Sequence, residues 1–305
     1  MTDINQTLNN GTFCNLQVSI WTASKKVATG TVNLGETDET LFRVNKDLIE
    51  RSALKPLRQV SQKASDILQN RALPFNIRGV YYIPNGLITS VIESIREYEF
   101  SFTSRVEEFC ERYSQYRDQA RLRLNSHFRD SDYPSTDKIR QKFKWNLQMM
   151  AFSAPDSLQS VSSEMYEEAN RRFHQEIEDF KDNSVTLLRH KFSELVSHIV
   201  ERLTPDEDGN KKIFRNSMVG NLKDFLNDFE ALNLTNDHEL AEQVSRTRNL
   251  VEGISPEDLR VSTRLSQMIT QNIAQVQETV ANLIENAPKR RIRYHVKDQN
   301  REEAA

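Results

Sequence analysis

Between Pro84 and Leu203, apolar side chains recur mostly every three or four residues along two unusually long stretches. In the first, roughly 85–129, the stripe runs through Ile88, Val91, Ile95, Tyr98, Phe102, Val106, Phe109, Tyr113, Tyr116, Ala120, Leu124 and Phe128. In the second, roughly 158–203, it runs through Val161, Met165, Ala169, Phe173, Ile177, Phe180, Leu187, Leu188, Phe192, Leu195, Ile199 and Leu203. This spacing predicts two amphipathic helices, each about 65 Å long at 1.5 Å per residue, with one apolar seam and a charged outer face. A seam that long must be covered, and the nearest cover is the other helix folded back upon it. The expected fold is mainly α: a long antiparallel coiled-coil hairpin projecting from a small helical body with two or three short strands. Pairing of this kind sets Val106 and Phe109 beside Ile177 and Phe180.

The same reading divides the rest of the chain. Residues 1–84 form the first part of the body, 85–203 the arm with a tip segment at 130–157, 204–288 the closing helices, and 289–305 a basic tail. Within 1–84, Leu16, Val18 and Ile20 alternate with Gln17 and Ser19 and predict a strand to Trp21. A helix is expected over 45–70, interrupted near Pro56, and the run Val80–Ile83 is a second extended element. The tip reads as a short helix from Ser135 or Thr136 to Phe152. After a turn at Thr204–Asn210, one helix carries Ile213 to Phe229, a second opens at Asp237 and closes at Gly253, and a third runs from Ser255-Pro256 to Ala287. In the tail, Ile292, Tyr294 and Val296 alternate with Arg291, Arg293, His295 and Lys297, which is strand periodicity.

Composition narrows the function classes. Eight glycines in 305 residues leave little for phosphate loops or dinucleotide turns, and no Walker, Gly-x-Ser-x-Gly or Cys-x-x-Cys pattern occurs. A net charge of −3 exerts no global pull on nucleic acid or membrane. Cys14 and Cys110 are expected to be reduced packing residues of a cytoplasmic protein, since the opening residues lack a basic start and apolar run and no stretch is long enough to span a bilayer.

Three clusters stand out. Trp145, Met149, Met150 and Phe152 crowd the end of the tip and suit an adaptable protein-docking surface. Lys289, Arg290, Arg291, Arg293 and Lys297, with Lys138, Arg140, Lys142 and Lys144 of the tip, are the cations that phosphates would attract. His190, Glu194 and His198 share one side of the second helix, but lack the His-Glu-x-x-His pattern and an evident fourth ligand, so a solvated helix face is expected there. The run Asp206, Asp208, Asn210 lacks the Gly and Glu of a calcium loop.

Leu16-Gln17-Val18-Ser19-Ile20-Trp21-Thr22, followed by Lys25-Lys26, resembles the opening of a bacterial and phage family, domain of unknown function 3150. Phe214-Arg215-Asn216-Ser217, Asn221-Leu222, Leu232-Asn233-Leu234 and Leu259-Arg260 are similar to that family's distal half. The resemblance implies a setting on phages and mobile elements, beside a MoxR-type AAA+ ATPase and a von Willebrand factor A protein, and carries over no catalytic residue. The expectation is a non-enzymatic scaffold or adaptor without cofactor or metal, binding a protein partner through its arm. The alternatives are a nucleic-acid-associated protein and, more distantly, a metal-dependent enzyme.

Overall fold

The computed structural model describes residues 9–27, 41, 43–206, 208 and 212–286. The basic tail at 289–297 lies outside them. Two compact units divide the chain, one comprising Met1–Ser184 with Asp224–Asn236 and the other Val185–Lys223 with Asp237–Ala305. The boundaries expected at 84, 203 and 288 are not where this division falls. It passes through two helices instead.

The first unit is built on an antiparallel sheet of β1 (Gly11–Ser19), β4 (Leu73–Pro74), β5 (Val80–Pro84) and β6 (Lys144–Met150), in the order β4-β5-β1-β6. β1 starts five residues before the predicted strand, and Gly11 permits it. A methyl group there would overlap the Tyr82 ring and come within 2.6 Å of the Ile83 carbonyl oxygen. Side chains alternate across the sheet, so Cys14, Val18 and Trp145 share one face while Phe13, Tyr82 and Met150 share the other. Cys14 and Cys110 are free buried thiols, and burial pushes Cys14 up to about 12 and raises Cys110 as well.

Pro84 ends β5 in extended conformation, and α2 (Asn85–Leu124) begins at once. Its predicted seam is buried at Val91, Ile95, Phe102, Val106, Phe109, Tyr113 and Ala120. The cover differs from the one expected. Helix α1 (Lys55–Arg71) packs along α2 and buries Leu57, Val60, Ala64 and Leu68. Pro56 does not interrupt a helix; it occupies the first turn of α1, where its missing N–H costs nothing. Upstream, β2 (Ser24–Val27) pairs with β3 (Val44–Asp47), and a 3₁₀ turn at Arg51–Leu54 leads into α1.

Phe109 lies 6.3 Å from the Trp21 ring and 5.5 Å from Phe143, within a core that also holds Leu54, Leu57 and Ile139. Phe180, on α4 (Ser163–Leu203), belongs to a different aromatic group with Phe75 (5.4 Å), Tyr82 (5.5 Å) and Phe13 (6.4 Å). The register that sets Phe109 beside Phe180 is therefore not formed. Apolar residues from 18–60 and 133–145 cover the α2 seam, and Phe180 is used on the sheet face bearing Phe13.

The largest departure is at 130–157. Apart from short 3₁₀ turns at Asp130–Asp132 and Asp156–Ser160, helix there is confined to α3 (Thr136–Arg140), and the residues that follow form strand β6 within the sheet rather than the tip of an arm. Arg71 on α1 then ties in α5 (Asn216–Leu232), its Nε and Nη2 donating to Asp228 at 2.6 and 3.1 Å.

In the second unit, α6 (His238–Val251) and α7 (Pro256–Val261) each pack on α8 (Thr263–Glu285). The expected third helix is two, broken at Ser262, which caps α8 by accepting from the Leu265 N–H. Asp237 caps α6, and Ser255 with Asp258 forms a capping box at α7. Gly253 takes the left-handed conformation that ends α6 (φ 70°). Arg189 links Asp237 (2.7 Å) to the Leu283 carbonyl (2.7 Å). Burial works to raise Asp237, but hydrogen bonds from Arg189 and the Leu240 N–H outweigh it and hold the carboxyl low. No helix among the described residues is long and apolar enough to cross a membrane.

Candidate functional site

Strand β6 is the edge of the four-stranded sheet, and among the described residues no strand pairs with its outer side. Its position is set by the turn before it. Ile139 is fully buried and Phe143 nearly so, both under α2, and backbone bonds from Lys142 to Ile139 and from Phe143 to Arg140 close the turn. The strand then pairs with β1 from Ser19↔Lys144 to Phe13↔Met150. Trp145, Leu147 and Met149 share the face that meets α2, while Lys144, Asn146 and Gln148 are exposed on the other. The opposite edge, β4, has two residues and ends in proline. β6 has seven residues, no proline and no bulge, and so presents a row of unpaired backbone donors and acceptors.

The pairing ends at Met150 although β1 continues two residues further, to Thr12 and Gly11. There the chain diverges through Ala151–Asp156 and leaves a cavity of about 340 Å³. Phe13, Met150, Phe152 and Phe173 supply its apolar walls, and Asp156 and His174 are among its polar groups.

The expected docking residues are separated by this geometry. The Trp145 ring lies 5.3 Å from Phe102, half-buried, with a buried indole N–H that has no hydrogen-bond partner. Met149 is 47% exposed beside the open edge. Met150 lines the cavity, as does Phe152, which stacks on Phe75 at 5.4 Å and meets Phe13 edge-on at 4.9 Å. Trp145 and Phe152 thus pack against other rings of the fold, and Trp145, Met149 and Met150 lie on one strand. Its signal was present in the sequence as a strict alternation from Lys144 to Met149, within a segment short enough to be read as helix.

Of the basic residues beside the strand, Lys138, Lys142 and Lys144 are exposed and form no ion pair among the described residues, whereas Arg140 is held by Glu107 (2.9 Å) and Asp137 (3.2 Å). His190, Glu194 and His198 are exposed, and among the described residues no three His, Cys, Asp or Glu side chains converge as a metal site. A second charged cluster, missed in the sequence, joins Lys25 Nζ and Lys46 Nζ to opposite oxygens of Asp132 at 2.5 and 2.6 Å. Those hydrogen bonds hold the buried Asp132 carboxyl below its usual range. Two lysines share the one carboxylate, Lys46 Nζ also donating to the His127 carbonyl at 2.8 Å, and the cluster fastens the β2–β3 hairpin to the 125–133 loop.

A family model described as protein of unknown function, DUF3150, matches residues 8–214, more than half of the chain. The match includes Leu16–Thr22 and all of β6; of the resemblances read at 214–260, all but Phe214 lie beyond it. No curated protein and no solved structure matches.

Proposed function

The chain belongs to the DUF3150 family of proteins of unknown function, and on that footing we propose that it is a non-enzymatic adaptor that binds an extended segment of a partner protein along β6. The observation carrying this reading is the seven-residue edge strand with no strand paired on its outer side among the described residues. Natural sheets guard their edges with prolines, bulges or charges; β6 has no proline or bulge and its one charged residue, Lys144, stands at its start, so the backbone beyond it offers hydrogen bonds to an added strand. The docking element is then the sheet edge and not a coiled-coil tip. The family resemblance makes a MoxR-type AAA+ ATPase and a von Willebrand factor A protein the first partners to try.

Hydrogen exchange is the direct test. In the isolated chain the outward amides of 144–150 exchange quickly, and in complex with the purified partner they become protected. A stable complex that leaves every amide of β6 unchanged overturns the edge as the docking element.

A further inference from the structure

We infer that the segment received by β6 is amphipathic along its length, with a large apolar residue at its N-terminal end and acidic residues about six positions later. This rests on the docking role proposed for β6, and adds the chemistry and direction of the occupant.

Three observations fix the polarity. At the start of β6, Lys138, Lys142 and Lys144 are exposed and form no ion pair among the described residues, while Arg140 is held by Glu107 and Asp137. These four cations outnumber the two acids, so among these residues that end is net positive. At the other end lies the cavity walled by Phe13, Met150, Phe152 and Phe173, large enough for one bulky aliphatic or aromatic side chain. Asp156 lines that cavity, and it repels an acidic residue approaching from this end. Lys144 and Met150 are six residues apart, or about 20 Å at 3.3 Å per residue.

Direction follows from the sheet. Every pairing in it is antiparallel, and antiparallel addition is the more stable per residue. A strand added antiparallel to β6 has its N-terminal end beside Met150 and its C-terminal end beside Lys144. The apolar anchor thus comes first in the partner and the acids follow.

Fluorescence anisotropy with the full chain and three labelled nine-residue peptides tests this. One is apolar-first and acid-last, one has the reverse order, and one has amides in place of the acids. The first is expected to bind at least about tenfold tighter than the others, the difference shrinking as salt rises. Lys144→Glu should reverse the preference, so that a lysine-ended peptide binds the variant better than the acidic one does. That rescue separates a charge contact from loss of folding. If all three peptides bind equally while β6 amides become protected, the polarity falls and the edge reading stands. If β6 is unprotected by every peptide, both fall. If single-stranded DNA binds the same lysines more tightly than the acidic peptide and competes it away, the basic end is a nucleic-acid contact and the inference is overturned.

Discussion

At the residue scale the most informative group is Asp132, because a buried carboxylate must be matched or it destabilises the fold. Lys25 and Lys46 match it, and its titration lies below that of the unfolded chain. The sign follows: the ionised form is favoured by folding, so the stabilisation is complete above the ordinary aspartate range near about 4 and is lost as pH falls from there through the lower folded value. Urea unfolding of the native chain should weaken steeply between about pH 5 and pH 3. Asp132→Asn should be less stable at pH 7 and show a shallower acid slope; parallel profiles for the two proteins would leave the cluster without a role. The buried Tyr133 hydroxyl beside it donates to the Leu48 carbonyl at 2.7 Å, so the effect should be felt at the hairpin of β2 and β3.

At the scale of elements, the two long stripes show how periodicity identifies a helix without identifying its cover. The α2 seam is met by α1 and by residues around Trp21 and Phe143, and Phe180 is met by Phe13, Phe75 and Tyr82. Both tryptophans of the chain belong to the Phe109 group. Phe109→Leu is therefore expected to shift tryptophan emission, whereas Phe180→Leu should leave it unchanged while lowering stability by about 1 kcal/mol or more. An equal spectral response to the two substitutions would favour a shared seam. Glu108→Ala, on the exposed face of α2, should change stability by no more than about 0.5 kcal/mol.

At the scale of the whole molecule, the division of the chain bears on how it can be cut. Asp224–Asn236 belongs with the first unit, where Asp228 pairs with Arg71 and Ala231 lies 3.4 Å from the position of a Gly86 Cβ. A fragment ending at 203, the boundary that the helix pattern suggests, leaves the partly buried Arg71 without its carboxylate. Asp228→Asn in the full chain should cost about 2 kcal/mol, the worth of hydrogen bonds to a charged group. Thermal melts followed by circular dichroism should rank the full chain above Asp228→Asn, and Asp228→Asn above the 203 fragment; a fragment as stable as the full chain would show that 224–236 contributes nothing to the first unit.

What the sequence determined by itself is local. Helix periodicity, Pro84 before α2, the Asp237 and Ser255 caps and the left-handed Gly253 act over a few residues, and each was legible. The tertiary structure decided everything that depends on which of several apolar surfaces wins. The seam of α2 is satisfied equally well by a long helix or by α1 with scattered apolar residues, because burial rewards area without regard to its source. The segment at 144–150 has alternation compatible with a strand, yet too few residues to exclude a helix until β1 supplies backbone partners. The open edge was legible only in part for the same reason. An unpaired backbone is a property of where neighbouring strands stop, and no single stretch of residues encodes it.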